Sequence, residues 1–223
     1  MNKERLFEFL AGQDSEVLME ILEAAYDEMN TGQRCAVFGE AMGKAKPATI
    51  DGETLLEDVE EFQRDSVAGK YYAPFDINSK NFTHVPEETQ AWFDRLGDLL
   101  TDSSQLSGQG DHVHAVACFR VLYELVDAMA SGDEIVFADE YGTWMIPVDE
   151  KTVIAAYLAS LAVTTTPQEY AAAVLPLVRR DSMESFSKKT YASAMRAADK
   201  EQKACLKEEV QRHGVRTSLE RRP

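Results

Sequence analysis

The sequence predicts an all-α protein, in which antiparallel helix pairs pack as a helical array or bundle with one small β-hairpin near residues 134–146. Apolar residues recur at spacings of three and four positions along most of the chain, which is the period of an amphipathic helix. Helix-start signals recur as well, and the most specific one is the Thr166–Glu169 stretch. The helical segments also come in pairs, roughly every 35 to 45 residues, which is typical of tandem helical repeats.

Short amphipathic helices are predicted for the N-terminal region. The first covers Lys3–Ala11, and the second follows a cap at Asp14 or Ser15, because side-chain oxygens there accept hydrogen bonds from free backbone N–H groups. A third, over residues 34–44, ends before Pro47. The residues expected to point inward are Leu6, Phe9 and Leu10 in the first helix and Leu18, Ile21, Leu22, Ala25 and Met29 in the second.

A helix is predicted to begin at Asp51, and an aromatic segment at residues 69–85 follows it. The acidic outer face of this helix is typical of a solvated surface. The aromatic segment has no helical period, and its seventeen residues are many for a passive loop. Its rings either fold back onto the core, which we favour, or line a groove. As the first candidate for a binding surface, the segment contributes Tyr71, Tyr72, Phe75 and Phe82.

The next helix begins at Pro86 with two glutamates in its first turn, where acidic side chains interact favourably with the helix dipole. The stretch Ser103–Gly110 is rich in serine and glycine, and it is predicted to be a flexible connection. The helices on its two sides then form an antiparallel pair. The buried face of the first of these helices is expected to be Trp92, Phe93, Leu96, Leu99 and Leu100.

The second helix of that pair, at residues 113–129, is the predicted centre of the fold. At about 100° per residue, its polar residues form one narrow stripe and most of its circumference is apolar. Such a helix must be covered by neighbours on most sides. The apolar side is Ala115, Cys118, Phe119, Leu122, Leu125, Val126 and Met129.

The β-hairpin is predicted from two apolar runs, at residues 135–137 and 144–146, that flank Gly142. This is the spacing of two short strands with glycine in the turn. Tyr141 and Trp144 of the hairpin complete the candidate binding surface. The acidic residues nearby do not have the register of a calcium-binding EF-hand loop, so we expect them to lie on the surface.

The C-terminal third is predicted to be helical up to Gly214. Thr166 and Glu169 have the spacing of a capping box, with proline at the first helical position. The last helix is predicted to run from about Asp181 to about His213, and residues 216–223 form a frayed tail. We therefore expect a single all-helical domain over residues 1–215, with a soft division near residues 103–110.

The rhythm of helix pairs and the stretch Ala115–Leu125 resemble tetratricopeptide-type and other helical-repeat proteins. The order of tryptophan, glycine, tyrosine and proline in that repeat is missing here, so the resemblance assigns no peptide-binding residues. The stretch Glu134–Pro147 is similar to stretches in uncharacterised bacterial all-helical proteins, and this similarity implies no activity.

The composition restricts the classes of partner. The formal net charge is −16, and such a surface repels nucleic-acid phosphates. Membrane spans are not expected, because no apolar run is long enough. The N-terminus lacks an apolar leader, and the three cysteines have no paired spacing, which favours a cytoplasmic protein with reduced thiols. No cofactor is expected.

His112 and His114 are weak candidates for metal ligands. Residues two apart on a helix point about 200° apart, so their rings cannot share one ion, and a zinc site needs three or four converging ligands. We therefore expect no metal site. No catalytic motif such as a P-loop or a G-x-S-x-G turn occurs in the sequence.

Three functions are consistent with these features. The preferred hypothesis is a protein-interaction or scaffold module that presents the aromatic segment and the hairpin to an unidentified protein partner. The first alternative is a metal-assisted or small-molecule enzyme that uses His112, His114 and nearby carboxylates. The second alternative is an acidic inhibitor that mimics nucleic acid and binds a basic partner.

Overall fold

A computed structural model describes residues 2–27, 29, 33–34, 36–39, 49–74, 85–138, 140–180 and 184–215. The chain forms two compact units, residues 1–48 and residues 49–223, and each is described by itself. The tail predicted at residues 216–223 lies outside the described residues, as do Phe75 and Phe82.

Among its described residues, the N-terminal unit contains two amphipathic helices, α1 (Lys3–Leu10) and α2 (Ser15–Asp27), and residues 33–34 and 36–39 are helical as well. Asp14 caps the start of α2 as predicted, because its carboxylate accepts hydrogen bonds from the backbone N–H groups of Glu16 and Val17 at 3.1 and 3.0 Å. Among the described residues of this unit, none is buried. The predicted inward orientation is therefore wrong for Phe9, Ile21 and Leu22, which are all exposed.

The second unit consists of seven described α-helices that pack around a shared apolar core. Their bounds are α3 Gly52–Val67, α4 Glu87–Gln109, α5 His112–Ser131, α6 Glu150–Thr164, α7 Pro167–Arg179, α8 Glu184–Ala197 and α9 Lys200–Arg212. No described helix combines the length and apolar character needed to cross a membrane.

Helix α5 lies at the centre of this unit, as the sequence predicts. It contacts α3, α4 and α6, so neighbours cover it on several sides. All seven residues of its predicted apolar side are buried. Its ends follow local signals, because Asp111 accepts a hydrogen bond from the backbone N–H of His114 and Gly132 ends the helix with a φ of 93°, which glycine adopts without a steric cost.

The predicted flexible connection at Ser103–Gly110 is wrong. Helix α4 continues to Gln109, and only Gly110 leaves the helical conformation, with a φ of 92°. The hydroxyls of Ser103 and Ser104 donate to the carbonyl oxygens four residues earlier at 2.7 and 2.8 Å. These bonds satisfy the serine hydroxyls within the helix, so the serines do not end it.

The single C-terminal helix of the prediction is two helices, α8 and α9. The break lies at Ala198–Asp199, where the Asp199 carboxylate accepts from the backbone N–H of Gln202 at 2.8 Å. The amide of Gln202 in turn accepts from the backbone N–H of Asp199 at 3.0 Å. This reciprocal capping box starts a new helix, and it outweighs the continuous helical period of the surrounding residues.

The predicted β-hairpin is also wrong. Across residues 134–138 and 140–146, which the structure describes, there is no strand, and Thr143–Met145 form one short 3-10 turn. A two-stranded hairpin is marginal by itself, and here a helix supplies other partners. The carbonyl of Phe137 accepts from the hydroxyl of Thr89 on α4 at 2.9 Å. Ile135 and Val136 are both buried in the core.

Candidate functional site

A cleft lies where the end of α5, the 3-10 turn and the start of α6 meet Arg180. It consists of two adjoining cavities of about 560 and about 150 Å³, and we call them together the Arg180 cleft. The larger volume is within the usual range of ligand pockets. Both cavities are lined by Val126, Thr143, Glu150 and Arg180.

One wall of this cleft is formed by the segment between Phe137 and Pro147, and α4 holds both ends of that segment. The Thr89 hydroxyl binds the Phe137 carbonyl at the beginning of the segment. At its end, Gly97 allows the ring of Pro147 to lie directly on α4, since a Cβ at residue 97 would come within 2.7 Å of that ring. These two contacts fix where the 3-10 turn, and therefore Trp144, lies on the helical body.

Arg180, directly after α7, is the principal polar residue of the cleft. Its Nη2 atom lies 2.6 Å from a carboxylate oxygen of Asp127 and donates to the carbonyl of Tyr123 at 3.2 Å. The guanidinium also lies over the Tyr123 ring, 4.4 Å from its centre, which is the geometry of a cation–π interaction. Two contacts and one stacked ring therefore hold this side chain in place.

Two nitrogen atoms of the same guanidinium have no hydrogen-bond acceptor. Nε and Nη1 of Arg180 are buried, and no acceptor for them exists among the described residues. Leaving a buried donor unpaired costs about 1–3 kcal/mol, and more for a charged group. Within the part of the chain that the structure describes, both donors therefore lack an acceptor, and a bound group that carries an oxygen atom near Arg180 would be stabilised.

Tyr123 lines the smaller cavity, and two further aromatic rings pack behind it. Tyr123 stacks on Tyr157 with ring centres 5.6 Å apart and an angle of 17° between the planes, and Phe119 lies 4.9 Å from Tyr157. Burial raises the pKa of Tyr123 well above its ordinary value, although the nearby Arg180 opposes this effect. The hydroxyl of Tyr123 therefore stays neutral, and it contributes no negative charge beneath the guanidinium.

Tyr141 and Trp144 of the predicted binding surface both line the Arg180 cleft. Tyr141 is half-buried in the larger cavity, and Trp144 borders the smaller one with 75% of its surface exposed. The Trp144 indole also lies 3.0 Å from the position that a Cβ of Gly142 would occupy. Two residues of the predicted binding surface thus line this cleft, although the hairpin predicted to carry them does not form.

Tyr71 and Tyr72, the described residues of the predicted aromatic segment, both contact other aromatic rings. Tyr71 contacts Phe62 edge-on at 5.6 Å between ring centres, and burial raises its pKa. Tyr72 contacts Phe137 in the same manner, also at 5.6 Å, and this contact links the aromatic segment to the segment that carries Trp144. Both tyrosines are half-buried.

His112 takes part in a hydrogen-bond chain that leads into the protein. Its Nδ1 atom lies 3.0 Å from the hydroxyl of Ser160, which donates to Ser107 at 2.7 Å, and Ser107 donates to the Ala156 carbonyl at 3.1 Å. Because the Ser160 proton already points to Ser107, His112 must be the donor to Ser160. This arrangement cannot activate Ser160 as a nucleophile, which needs a base that accepts its proton.

His114 has a different partner from His112. Its Nδ1 atom lies 2.8 Å from a carboxylate oxygen of Asp111, and the pair lies against Gly52, the first residue of α3. Within the described residues, no three or more His, Cys, Asp or Glu side chains are placed to hold a metal ion. The two histidines therefore each have a local structural partner, and they do not form one site.

Sequence reasoning missed the charged residues of the cleft, Asp127, Glu150 and Arg180. One signal existed for Asp127, because it lies in the narrow polar stripe of an otherwise apolar helix. Nothing local connects it with Arg180, which is 53 positions later in the sequence. Only the tertiary structure, which places the residue after α7 next to the end of α5, brings the two charges together.

The chain matches no known protein family, and no curated protein or solved structure is significantly similar to it. The functional assignment therefore rests on the geometry of the molecule.

Proposed function

We propose that this chain is a protein-interaction module that binds a segment of a partner protein in the Arg180 cleft. In this proposal, antiparallel helix pairs form a rigid scaffold, and Trp144 is the principal contact residue. Tyr141 forms the adjacent wall. Tyr72 beside Phe137 and Tyr71 beside Phe62 provide a second pair of aromatic contact residues.

The observation that carries the proposal is the exposure of Trp144 at the rim of a cavity. Tryptophan is enriched at the contact residues that dominate protein interfaces, and its side chain gains more from burial than most others. Trp144 is nevertheless 75% exposed, whereas Trp92 is fully buried. A partner that covers Trp144 would remove this apolar surface from water.

Arg180 gives the cleft a polar specificity that suits a polypeptide. An extended peptide presents carbonyl oxygens at regular intervals, and the buried N–H groups of Arg180 lack acceptors. One apolar side chain of the peptide can occupy the cavity of about 560 Å³ while a neighbouring carbonyl accepts from the guanidinium. The combination of an apolar contact and a hydrogen-bonded backbone is common in peptide recognition.

The test is a selection of random displayed peptides on the immobilised full chain, followed by affinity measurements on the enriched peptides. Trp144→Ala is the test variant, and Val163→Ala is its matched control, because Val163 is also exposed but lies outside the cleft. We expect the enriched peptides to bind the wild type and Val163→Ala equally, and Trp144→Ala at least about tenfold more weakly.

A second variant separates binding from folding. Arg180→Lys keeps the positive charge but removes the planar donor group, and we expect it to weaken the same peptides while the circular dichroism spectrum remains unchanged. Peptides that bind Trp144→Ala as well as they bind the wild type would contradict the proposal.

A further inference from the structure

Helix α2 carries an exposed apolar ridge that the described residues of its unit cover only at one end, where the ring of Phe38 lies 5.8 Å from the ring of Tyr26. Met19, Leu22 and Tyr26 are 64%, 47% and 44% exposed. Their spacings of three and four positions place them along one side of the helix. We call these three residues the exposed ridge. Its spacing is that of the contact residues by which amphipathic helices bind one another.

The described residues of the N-terminal unit form no buried core. None of its described residues is buried, and Phe7 and Phe9 of α1 are exposed as well. Contiguous apolar surface on a folded chain marks an interaction site more often than not, and units of this length rarely bury enough of their own surface to be stable alone. Among the described residues of this unit, Met19 and Leu22 of the exposed ridge are therefore open to a binding partner.

The charge beside the exposed ridge is of one sign. Four acidic residues recur at spacings of three and four positions, so they lie within about 60° of one another on the next face of the helix. Helix α2 contains no lysine or arginine. We call this set the acidic stripe, and its members are Glu16, Glu20, Glu23 and Asp27.

Arg34 of the same unit contacts Tyr26 of the exposed ridge. The guanidinium of Arg34 lies over the ring of Tyr26, 4.3 Å from its centre, and its Nε atom donates to the Tyr26 carbonyl at 3.0 Å. The ridge tyrosine thus already accepts a cation on its face. A partner with arginine or lysine beside its apolar residues can make the same kind of contact and also pair with the acidic stripe.

We propose that the exposed ridge and the acidic stripe form a docking surface for a basic amphipathic helix of a partner protein. The apolar side of that helix covers Met19, Leu22 and Tyr26, and its basic flank faces the acidic stripe. A second copy of this chain fits poorly, because its own acidic stripe would face the first one and like charges repel. The surface shares no residue with the Arg180 cleft, so the two proposals stand independently.

The test uses a labelled helical peptide and the full-length chain, with fluorescence anisotropy as the readout. The peptide carries leucines at alternating spacings of three and four positions with lysines beside them, and a second peptide has glutamates in place of the lysines. We expect saturable binding of the basic peptide that weakens as salt screens the charges, and no binding of the acidic peptide. Equal binding of both peptides, or of neither, overturns the proposal.

Two variants with matched controls locate the binding. Glu20→Lys/Glu23→Lys reverses two charges of the acidic stripe, and Glu57→Lys/Glu60→Lys makes the same change at two exposed residues of α3 with the same spacing. Leu22→Ser/Tyr26→Ser removes the apolar contacts, with Val163→Ser as its control. We expect each test variant to weaken binding at least about tenfold, and each control to leave binding unchanged.

The oligomeric state tests whether a second copy of this chain covers the exposed ridge in place of a partner helix. Light scattering of the wild type should give the mass of one chain at concentrations at which the basic peptide binds. A dimer that Leu22→Ser/Tyr26→Ser converts to a monomer would overturn the proposal in favour of self-association. Test variants that bind the basic peptide as well as their controls do would also overturn it.

Discussion

Gly97 on α4 lies against Pro147 so closely that a Cβ on the glycine would be 2.7 Å from Cγ and 2.8 Å from Cδ of the proline ring. The contact fastens the end of the segment that carries Trp144 to a helix whose buried face is part of the core. The position of Trp144 thus depends on the absence of a side chain at residue 97.

Gly97→Ala should therefore destabilise the protein. The added methyl group forces apart two packed elements, and overpacking of this kind costs about 1–3 kcal/mol. Urea unfolding would measure the loss in the free energy of unfolding. Gly108→Ala is the control, because a Cβ there meets no atom within 4 Å and alanine favours a helix by up to about 1 kcal/mol. If both variants change stability equally, the contact with Pro147 is not responsible.

Ser66→Ala should destabilise the protein through Trp92. The indole N–H of Trp92 donates to the Ser66 hydroxyl at 2.9 Å, and both residues are fully buried. Without its acceptor, the N–H remains unpaired in the core at a cost of about 1–3 kcal/mol.

The control is the double variant Ser66→Ala/Trp92→Phe. It should be less destabilised than the two single effects added together, because the phenylalanine has no donor to leave unpaired. Calorimetric or urea unfolding of all four proteins gives this coupling. Additive effects would show that the hydrogen bond does not contribute.

Asp102→Asn should stabilise the protein at pH 7. Burial raises the pKa of Asp102, as does the neighbouring carboxylate of Asp98, and Arg95 opposes them. A raised pKa means that the folded state favours the neutral carboxyl, so stability is full below the pKa of the unfolded chain and is lost as the pH rises through the higher folded pKa. Asparagine stays neutral throughout, so it avoids that loss.

The melting temperature as a function of pH measures this effect. Asp102→Asn should exceed the wild type at pH 7, and the difference should disappear below about pH 4, where the wild-type carboxyl is protonated in both states. Glu57→Gln, at an exposed residue of α3, controls for the change in net charge. A lower melting temperature for Asp102→Asn at pH 7 would contradict the assigned sign.

Cys118 should be inert to thiol reagents in the native protein, whereas Cys205 should react. Burial raises the pKa of the Cys118 thiol to about 11, although the neighbouring Ser103 side chain opposes the shift. The reactive species is the thiolate, which is then rare near neutral pH. Cys205 is only half-buried.

A colorimetric thiol titration of native and unfolded protein checks this difference. Cys118→Ser should leave the native thiol count unchanged and lower the count in denaturant by one. Cys205→Ser should lower both counts by one. A lower native count for Cys118→Ser would show that reagent reaches the core.

The sequence alone predicted the all-α class and the central helix because both depend on contacts within one or two turns. The apolar period of α5 identifies its buried side without reference to any neighbour. The capping box at Thr166 and Glu169 is equally local, and it forms as predicted. Such signals act between residues three or four positions apart, so they can be recognised in the chain itself.

The predictions from local patterns were wrong where contacts with residues distant in the sequence determined the structure. The apolar runs at residues 135–137 and 144–146 have the period of two strands. In the structure, however, Thr89 of α4 binds the carbonyl of Phe137 and Gly97 of α4 contacts Pro147, so this segment packs on α4 instead of forming a hairpin. Conversely, the apolar spacing of Leu22 predicts burial, yet burial requires a surface to pack against, and no described residue of its unit is buried.

The sequence by itself thus determined where most helices form and which side of α5 is apolar. Only the tertiary structure decided that Trp144 lies at the rim of a cavity and that Arg180 meets Asp127. Helix formation is governed by the dihedral angles and hydrogen bonds of neighbouring residues, which the sequence specifies directly. The convergence of side chains from α5, α6 and α7 depends instead on how complete helices pack, and no short stretch of sequence contains that information.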